Sequence, residues 1–372
     1  MVPIGSIEKG SNRLARRRHG AGLLMALCVF APIVAACGQA TSGAPEVALL
    51  PDRAAGGNTW HWTARCEFGP FAHKGCQASG PRLGTAQLNG DEWNLGGGAS
   101  TAGSLDMAVT SPGTLAMEGD FSAAPPCTQA TCLAPSAYTW VRGYPSVLYG
   151  INQCHAATSP PQSRVLRLPM QVGAIPRDLI GITAYSSQTS QATFDIAYDL
   201  WLHDSNTKQP CNTKGALEVM VWTDYDQRAL LPANMQVGTA SIPFATRRGV
   251  ANGKQAWSVY VSNLYAAGRT APWGGTVWFV LNRTDVVSKG TVSVDLSSVL
   301  SAVGALVQND YHWNDFRKRY WLDSIPFGME FGPRDGSLTG TGSSHFGLEL
   351  SSYCLEVGTT LNNATCTDLS SR

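Results

Sequence analysis

Charge is scarce in this chain of 372 residues: Asp, Glu, Lys and Arg together make up 14%, and the formal net charge is +1. That balance offers no basic face, and nucleic acid is not expected as a partner. Long helical heptads are missing too. The seven histidines show no His-Glu-x-x-His spacing, which removes the commonest zinc-hydrolase pattern. No Gly-x-Ser-x-Gly occurs, so a serine hydrolase would lack its usual elbow. No Cys-x-x-Cys occurs either, which speaks against a zinc knuckle. The triplet Gly96 to Gly98 lacks the strand–helix context of a phosphate loop and reads as a turn. No metal and no organic cofactor is expected.

Turn formers and alternating apolar residues are abundant instead. With 39 Gly and 21 Pro, the composition favours short strands joined by turns, in a sandwich or a barrel. Strand-like alternation appears at Ser104 to Val109, Ser136 to Gly150, Ala192 to Leu202, Ala256 to Leu264, Gly274 to Asn282 and Gly290 to Leu296. One segment differs. Leu296 to Tyr311 carries Val299, Leu300, Val303, Leu306 and Val307 at helical spacing, which predicts a single helix packed on the outside of a sheet. No internal repeat and no linker interrupts the later chain, so residues 58–372 are expected to form one domain.

The first residues read differently. Arg13 to Gly20 is a basic stretch, and Ala21 to Ala36 is an apolar run with a proline inside it. The run is short for a membrane span and fits an export signal over residues 1–36. It ends in Val34-Ala-Ala-Cys37, which resembles a bacterial lipobox and implies lipidation of Cys37. The alternative is a plain signal-peptidase site with Cys37 incidental. Residues 37–57 then read as a flexible tether of small residues. The expectation is an exported protein, either a cell-surface lipoprotein or secreted, meeting a membrane only through the Cys37 anchor. Loss of residues 1–36 removes Lys9, Arg13, Arg16, Arg17 and Arg18 against Glu8, taking the net charge from +1 to −3. Beyond Cys37 the chain keeps Cys66, Cys76, Cys127, Cys132, Cys154, Cys211, Cys354 and Cys366, an even number that suggests disulfides in an exported chain. Proximity favours Cys66–Cys76, Cys127–Cys132 and Cys354–Cys366, leaving Cys154–Cys211, among roughly 105 connectivities open to eight cysteines.

Chemistry enters with "ALEVMVW", Ala216 to Trp222. At a period of two, Leu217, Val219 and Val221 share one face, and Glu218, Met220 and Trp222 share the other. A lone glutamate among a thioether and an indole suits neither a core face nor a solvated one. Alone, it would read as an acid paired with an arginine at a sheet edge. A second strand changes that reading. In "SIPFGMEFGP", Ser324 to Pro333, the apolar face is Phe327, Met329 and Phe331, and the other is Gly328, Glu330 and Gly332. Glycines beside an acid leave room for another molecule to approach the backbone. A third strand, "TFDIAYDLWL", turns Asp195, Ala197, Asp199 and Trp201 to one side. Two acids facing a cleft lined with tryptophan suit glycoside hydrolysis, one carboxylate attacking the anomeric carbon and a protonated one serving the leaving oxygen.

Taken together and in order, "GYPSVLYG", "ATFDIAYDLWL", "GALEVMVW" and "SIPFGMEFGP…SHFGLEL" resemble family 12 of the glycoside hydrolases, over most of the chain from about Glu92 to Glu356. The most specific part is Glu-x-Met-x-Trp followed by Phe-Gly-x-Glu-Phe-Gly. The resemblance implies an all-β fold: a β-jelly-roll sandwich of two curved antiparallel sheets with a concave substrate cleft. It implies a monomeric, retaining endo-acting hydrolase of β-1,4-glucan, whether cellulose-like, mixed-linkage or xyloglucan. Glu218 would be the nucleophile, Glu330 the acid/base, and Asp199 the residue that hydrogen-bonds the nucleophile, with Met220 and Trp222 beside it. Trp93 would stack on sugar. The family usually has asparagine two positions before that tryptophan; here it is Asp91, a change in the sugar contacts. Thr207 to Gly215 and Asn309 to Tyr320 look like loops particular to this chain, with rim residues able to alter substrate choice. Two other readings stay open: a glycan-binding relative without turnover, and a hydrolase of a cell-envelope polysaccharide. Glu349 is expected on the solvent face.

Overall fold

A computed structural model of the chain describes residues 60–64, 79–83, 86–90, 103–110, 114–121, 141, 143–151, 166–204, 216–229, 231–246, 254–262, 273–311, 313, 315–332, 334 and 344–357. Strands dominate, in two layers. In one layer β1 (Trp60–Ala64), β4 (Gly103–Thr110), β5 (Thr114–Phe121), β16 (Ser344–Val357), β8 (Leu179–Gln191) and β14 (Lys289–Asp295) lie side by side in that order. The other runs β11 (Gln236–Ala245), β12 (Lys254–Ser262), β13 (Trp273–Leu281), β10 (Ala216–Tyr225), β9 (Thr193–His203), β15 (Trp321–Gly332), β6 (Ser146–Gly150), β3 (Ala86–Asn89) and β2 (Ser79–Leu83). The short β7 (Met170–Gln171) pairs with β15. β11 belongs to both layers: most of it pairs with β12, whereas Phe244 and Ala245 pair with β14. The β10–β13 pair is parallel, unlike its antiparallel neighbours β9–β10 and β12–β13.

The alternation seen in the sequence decides what fills the space between the layers. Leu217, Val219 and Val221 of β10 are fully buried there, with Ile196, Tyr198, Leu200 and Leu202 of β9. β15 adds Ile325, Phe327, Met329 and Phe331 to the same core. Phe327 joins the layers: its ring lies 4.7 Å from Tyr198 and 5.5 Å from Tyr185 of β8. Tyr198 also shares a 2.7 Å hydrogen bond with Thr183 across the sandwich. This close approach needs Gly181, where an added Cβ would fall 2.7 Å from the Tyr198 ring. Burial of a phenylalanine such as Phe327 contributes about 1.5–3 kcal/mol.

The helix foreseen from its spacing is α1, Leu296–Asp310, and Val299, Leu300, Val303, Leu306 and Val307 are all buried. Asp295 caps it, accepting from the Ser298 N–H at 2.8 Å, which satisfies one of the amide donors that a helix start leaves free. A four-residue helix α2, Phe316–Arg319, follows within the segment that reads as a loop. Trp313, Phe316 and Tyr320 of that segment are core residues rather than rim residues; Trp313 stacks on Tyr320 at 5.2 Å. Their spacing is too irregular to announce a buried face. The strand expected over Ser136 to Gly150 is confined, among the described residues, to Ser146–Gly150, just after Pro145. Of the cysteines only Cys354 is among the described residues, and it is buried. Trp93, Asp91 and Cys37 also lie outside the described residues.

Candidate active site

On the outer face of the second layer, β15, β9, β10 and β13 are consecutive neighbours, and their outward residues form one surface. Glu330 of β15 is the cross-strand partner of Asp195 on β9. Two residues further along β9, Ala197 pairs with Gly328; then Asp199 pairs with Met220, and Trp201 with Glu218. On its other side Glu218 pairs with Thr276 of β13. The face read from alternation is therefore the face that forms, and it brings Glu218, Glu330, Asp199 and Asp195 onto adjoining strands.

Each acid has a distinct environment. Glu218 is half-buried, and its Oε2 accepts from the Thr276 hydroxyl at 2.8 Å. Asp199 is buried, and its Oδ2 accepts from the Trp201 indole N–H at 2.7 Å. Glu330 is 8% exposed and Asp195 fully buried, and the two face each other across the β9–β15 pair. Burial first, then the charge of Asp195 and its hydrogen bond, and finally the charge of Glu218, hold the Glu330 carboxyl well above the usual carboxylate range. Asp195 is raised as well, chiefly by burial, with the charges of Asp199 and Glu218 adding to it and the bond from Glu330 opposing it. Tyr144 reaches in from the residues before β6 and donates to the Ala197 carbonyl at 2.8 Å, between the two aspartates. Burial, together with the charges of Asp199, Asp195 and Glu330, raises its phenol.

Met220 and Trp222 occupy the positions expected beside Glu218, but each is only 1% exposed. With Ala197, Trp278, Val280, Tyr225 and Leu231 they form a second apolar cluster on this face, a packed floor rather than an open stacking surface. Trp201 is half-buried and stands beside Glu218. Gly328 corrects one expectation. A Cβ there would fall 2.2 Å from the Pro145 carbonyl oxygen and 2.6 Å from Ser146 Cβ, so the space beside this glycine is filled by the chain itself. Gly328→Ala is expected to displace the Tyr144-bearing segment and lower stability by about 1–3 kcal/mol, read as a shifted denaturation midpoint. Glu349 is exposed on β16, in the other layer, away from this surface.

Asp195, Thr276, Trp201 and Tyr144 complete the surface without having been assigned a role there. Asp195 and Trp201 had a usable signal, the parity they share with Asp199. Thr276 had none, because the β10–β13 register depends on a parallel pairing that local alternation cannot report.

No family model matches the chain, and no curated protein does. Solved structures do share its fold. A metagenome-derived glycoside hydrolase family 12 endoglucanase superposes with a TM-score of 0.50 at 18% identity, over 80% of this chain and 98% of that one. A family 12 xyloglucanase from Bacillus licheniformis is 16% identical, over 80% and 99%, with a TM-score of 0.49. An endoglucanase from Rhodothermus marinus is also 16% identical, over 80% and 98%, with a TM-score of 0.49. The fold is a β-jelly-roll.

Proposed function

We propose that the protein is a retaining endo-acting glycoside hydrolase of β-1,4-linked glucan, with Glu218 as nucleophile, Glu330 as acid/base and Asp199 as the support of the nucleophile. The observation that carries this reading is the contrast between the two glutamates on one face. Glu330 is buried against another carboxyl and keeps its proton, as a general acid must; Glu218 is more exposed and is held by a hydroxyl donor. In the first step a Glu218 carboxylate oxygen attacks the anomeric carbon and the glycosidic C–O bond breaks. Glu330 delivers its proton to the departing oxygen, leaving a glycosyl ester on Glu218. In the second step Glu330, now a carboxylate, removes a proton from water as the water oxygen attacks the same carbon and frees Glu218. Support also comes from the named relatives of the fold, endoglucanases and a xyloglucanase, and from the ordered motifs.

We further read residues 1–36 as an export signal and Cys37 as a lipidation site, with residues 58–372 as the hydrolase domain. No helix among the described residues is long and apolar enough to cross a membrane.

The test is hydrolysis of carboxymethyl cellulose, mixed-linkage β-glucan and xyloglucan by residues 58–372, with the new reducing ends followed by proton NMR. The β-anomer should appear first and mutarotate afterwards. Initial release of the α-anomer would overturn retention. Binding without any release would move the assignment to a glycan-binding protein.

A further inference from the structure

We propose that Asp195 is a positioning residue for Glu330: a neutral carboxyl that faces the protonated Glu330 and turns its own O–H to the carboxylate left there after proton transfer. The inference rests on the proposed role of Glu330 and adds a second proton to the working state of the site.

The geometry comes first. Asp195 and Glu330 are directly opposed on neighbouring antiparallel strands, and they point to the same outer face. Residues so placed have Cβ atoms about 4.5–5.5 Å apart, within reach of two short acid side chains. Asp195 is 0% exposed, and neither of its oxygens receives a bond from an N–H or hydroxyl donor among the described residues. A buried carboxylate without a donor costs several kcal/mol, on the order of 1–3 even for a neutral acceptor, so it takes up a proton instead. Two carboxyl groups so opposed can bond to each other only with a proton between them.

The surrounding groups point the same way. Along β9 the neighbour is Asp199; from β10 comes Glu218; from the segment before β6 comes Tyr144, a phenol that stays neutral. None of these brings positive charge. Tyr225 lies opposite Asp195 on β10, and the Arg283 guanidinium stands 5.2 Å from its ring centre. That guanidinium stands beside Asp224, which burial raises to about 6 against its pull, and beside Asp226. An ionised Asp195 would leave two adjoining buried carboxylates whenever Glu330 gave up its proton, an arrangement that like charges forbid. With Asp195 neutral, the same step leaves one carboxylate with a charge-assisted O–H bond across the strands. Atoms and charge balance: Glu330 loses the proton gained by the leaving oxygen, and Asp195 keeps its own.

The pair therefore titrates as a unit, and losing its first proton ends activity. That first loss comes early, because the remaining O–H stabilises the new carboxylate. Asparagine cannot ionise and is a weaker donor. In Asp195→Asn the alkaline limb of the kcat/KM profile should therefore move to higher pH, by at least about one unit, the scale of such coupling. The acid limb should stay in place. An unmoved alkaline limb, or one moved to lower pH, would overturn the proposal. A second measurement stands even if that variant fails to fold. In protein labelled with carbon-13 at the aspartate and glutamate carboxyls, Asp195 should keep its proton well above the ordinary aspartate range. Its titration should shift when Glu330 is replaced by glutamine. An Asp195 that loses its proton within that ordinary range would overturn the pair. The carboxyl titration is read without substrate, so an inactive protein would defeat the functional reading while the titration still decided the pair.

Discussion

Glu218→Gln should abolish glucan hydrolysis while glucan binding survives. The substitution keeps the length and planarity of the side chain, and its carbonyl oxygen can still accept from the Thr276 hydroxyl that now holds Oε2 at 2.8 Å. The neighbouring Trp201, Met220 and Thr276 stay in register because the backbone pairing is untouched. What disappears is the negative oxygen needed to form the glycosyl ester. Removing such a group from a covalent mechanism costs more than about 10³-fold in turnover. The measurement is reducing-sugar release set beside binding, by calorimetry or by retardation in a glucan-containing gel. Turnover within tenfold of the unaltered protein would show that the nucleophile lies elsewhere.

Glu330→Ala should have a different signature, dependent on the substrate. On a polymer the leaving group is a sugar hydroxyl, which cannot depart as an alkoxide. Loss of its proton donor should reduce kcat by about 10²–10⁴-fold. On an aryl glycoside with an acidic phenol, departure needs no proton and the first step should be nearly unaffected. Accumulation of the glycosyl enzyme would then appear as a burst. The alkaline limb of the pH profile should vanish on the aryl substrate, because the group responsible for it has gone. Equal losses on both substrates would remove Glu330 from the acid role. The variant also strips Asp195 of its partner, so its folded stability should be measured in the same preparation.

Alternation was the legible part of this protein. β9, β10 and β15 present the faces that their period of two announces, and α1 starts at Leu296 and buries the predicted stripe. Glu218, Glu330 and Asp199 could be singled out because an isolated acid on an apolar strand face conflicts with both common surroundings. Other features were hidden for physical reasons. Side-chain parity tells which face a residue occupies but not which strand lies alongside, so the Asp195–Glu330 opposition could not be read. The vacancy expected beside Gly328 depends on where Pro145 and Ser146 run, a tertiary matter. Met220 and Trp222 sit on the expected face, yet their burial comes from Trp278, Tyr225 and Leu231 packing over them. Trp313, Phe316 and Tyr320 looked like a polar elaboration because charged residues separate them, and only the folded α2 turn gathers their rings.

The parallel pairing of β10 with β13 has a consequence for how the protein is made. Parallel neighbours cannot be joined by a tight turn, and here β11 and β12 both intervene in the chain. Thr276 reaches Glu218 only after a separation of 58 residues is closed, and β15 must then come in on the far side of β9 to set Glu330 against Asp195. Such distant contacts form slowly, late in a folding reaction dominated by chain closure. No fragment ending before β15 can hold both glutamates, and a chain emerging from its N-terminus carries no assembled site until almost all of it has been synthesised. Catalytic competence should then appear together with the last cooperative phase of refolding, with no earlier partly active species.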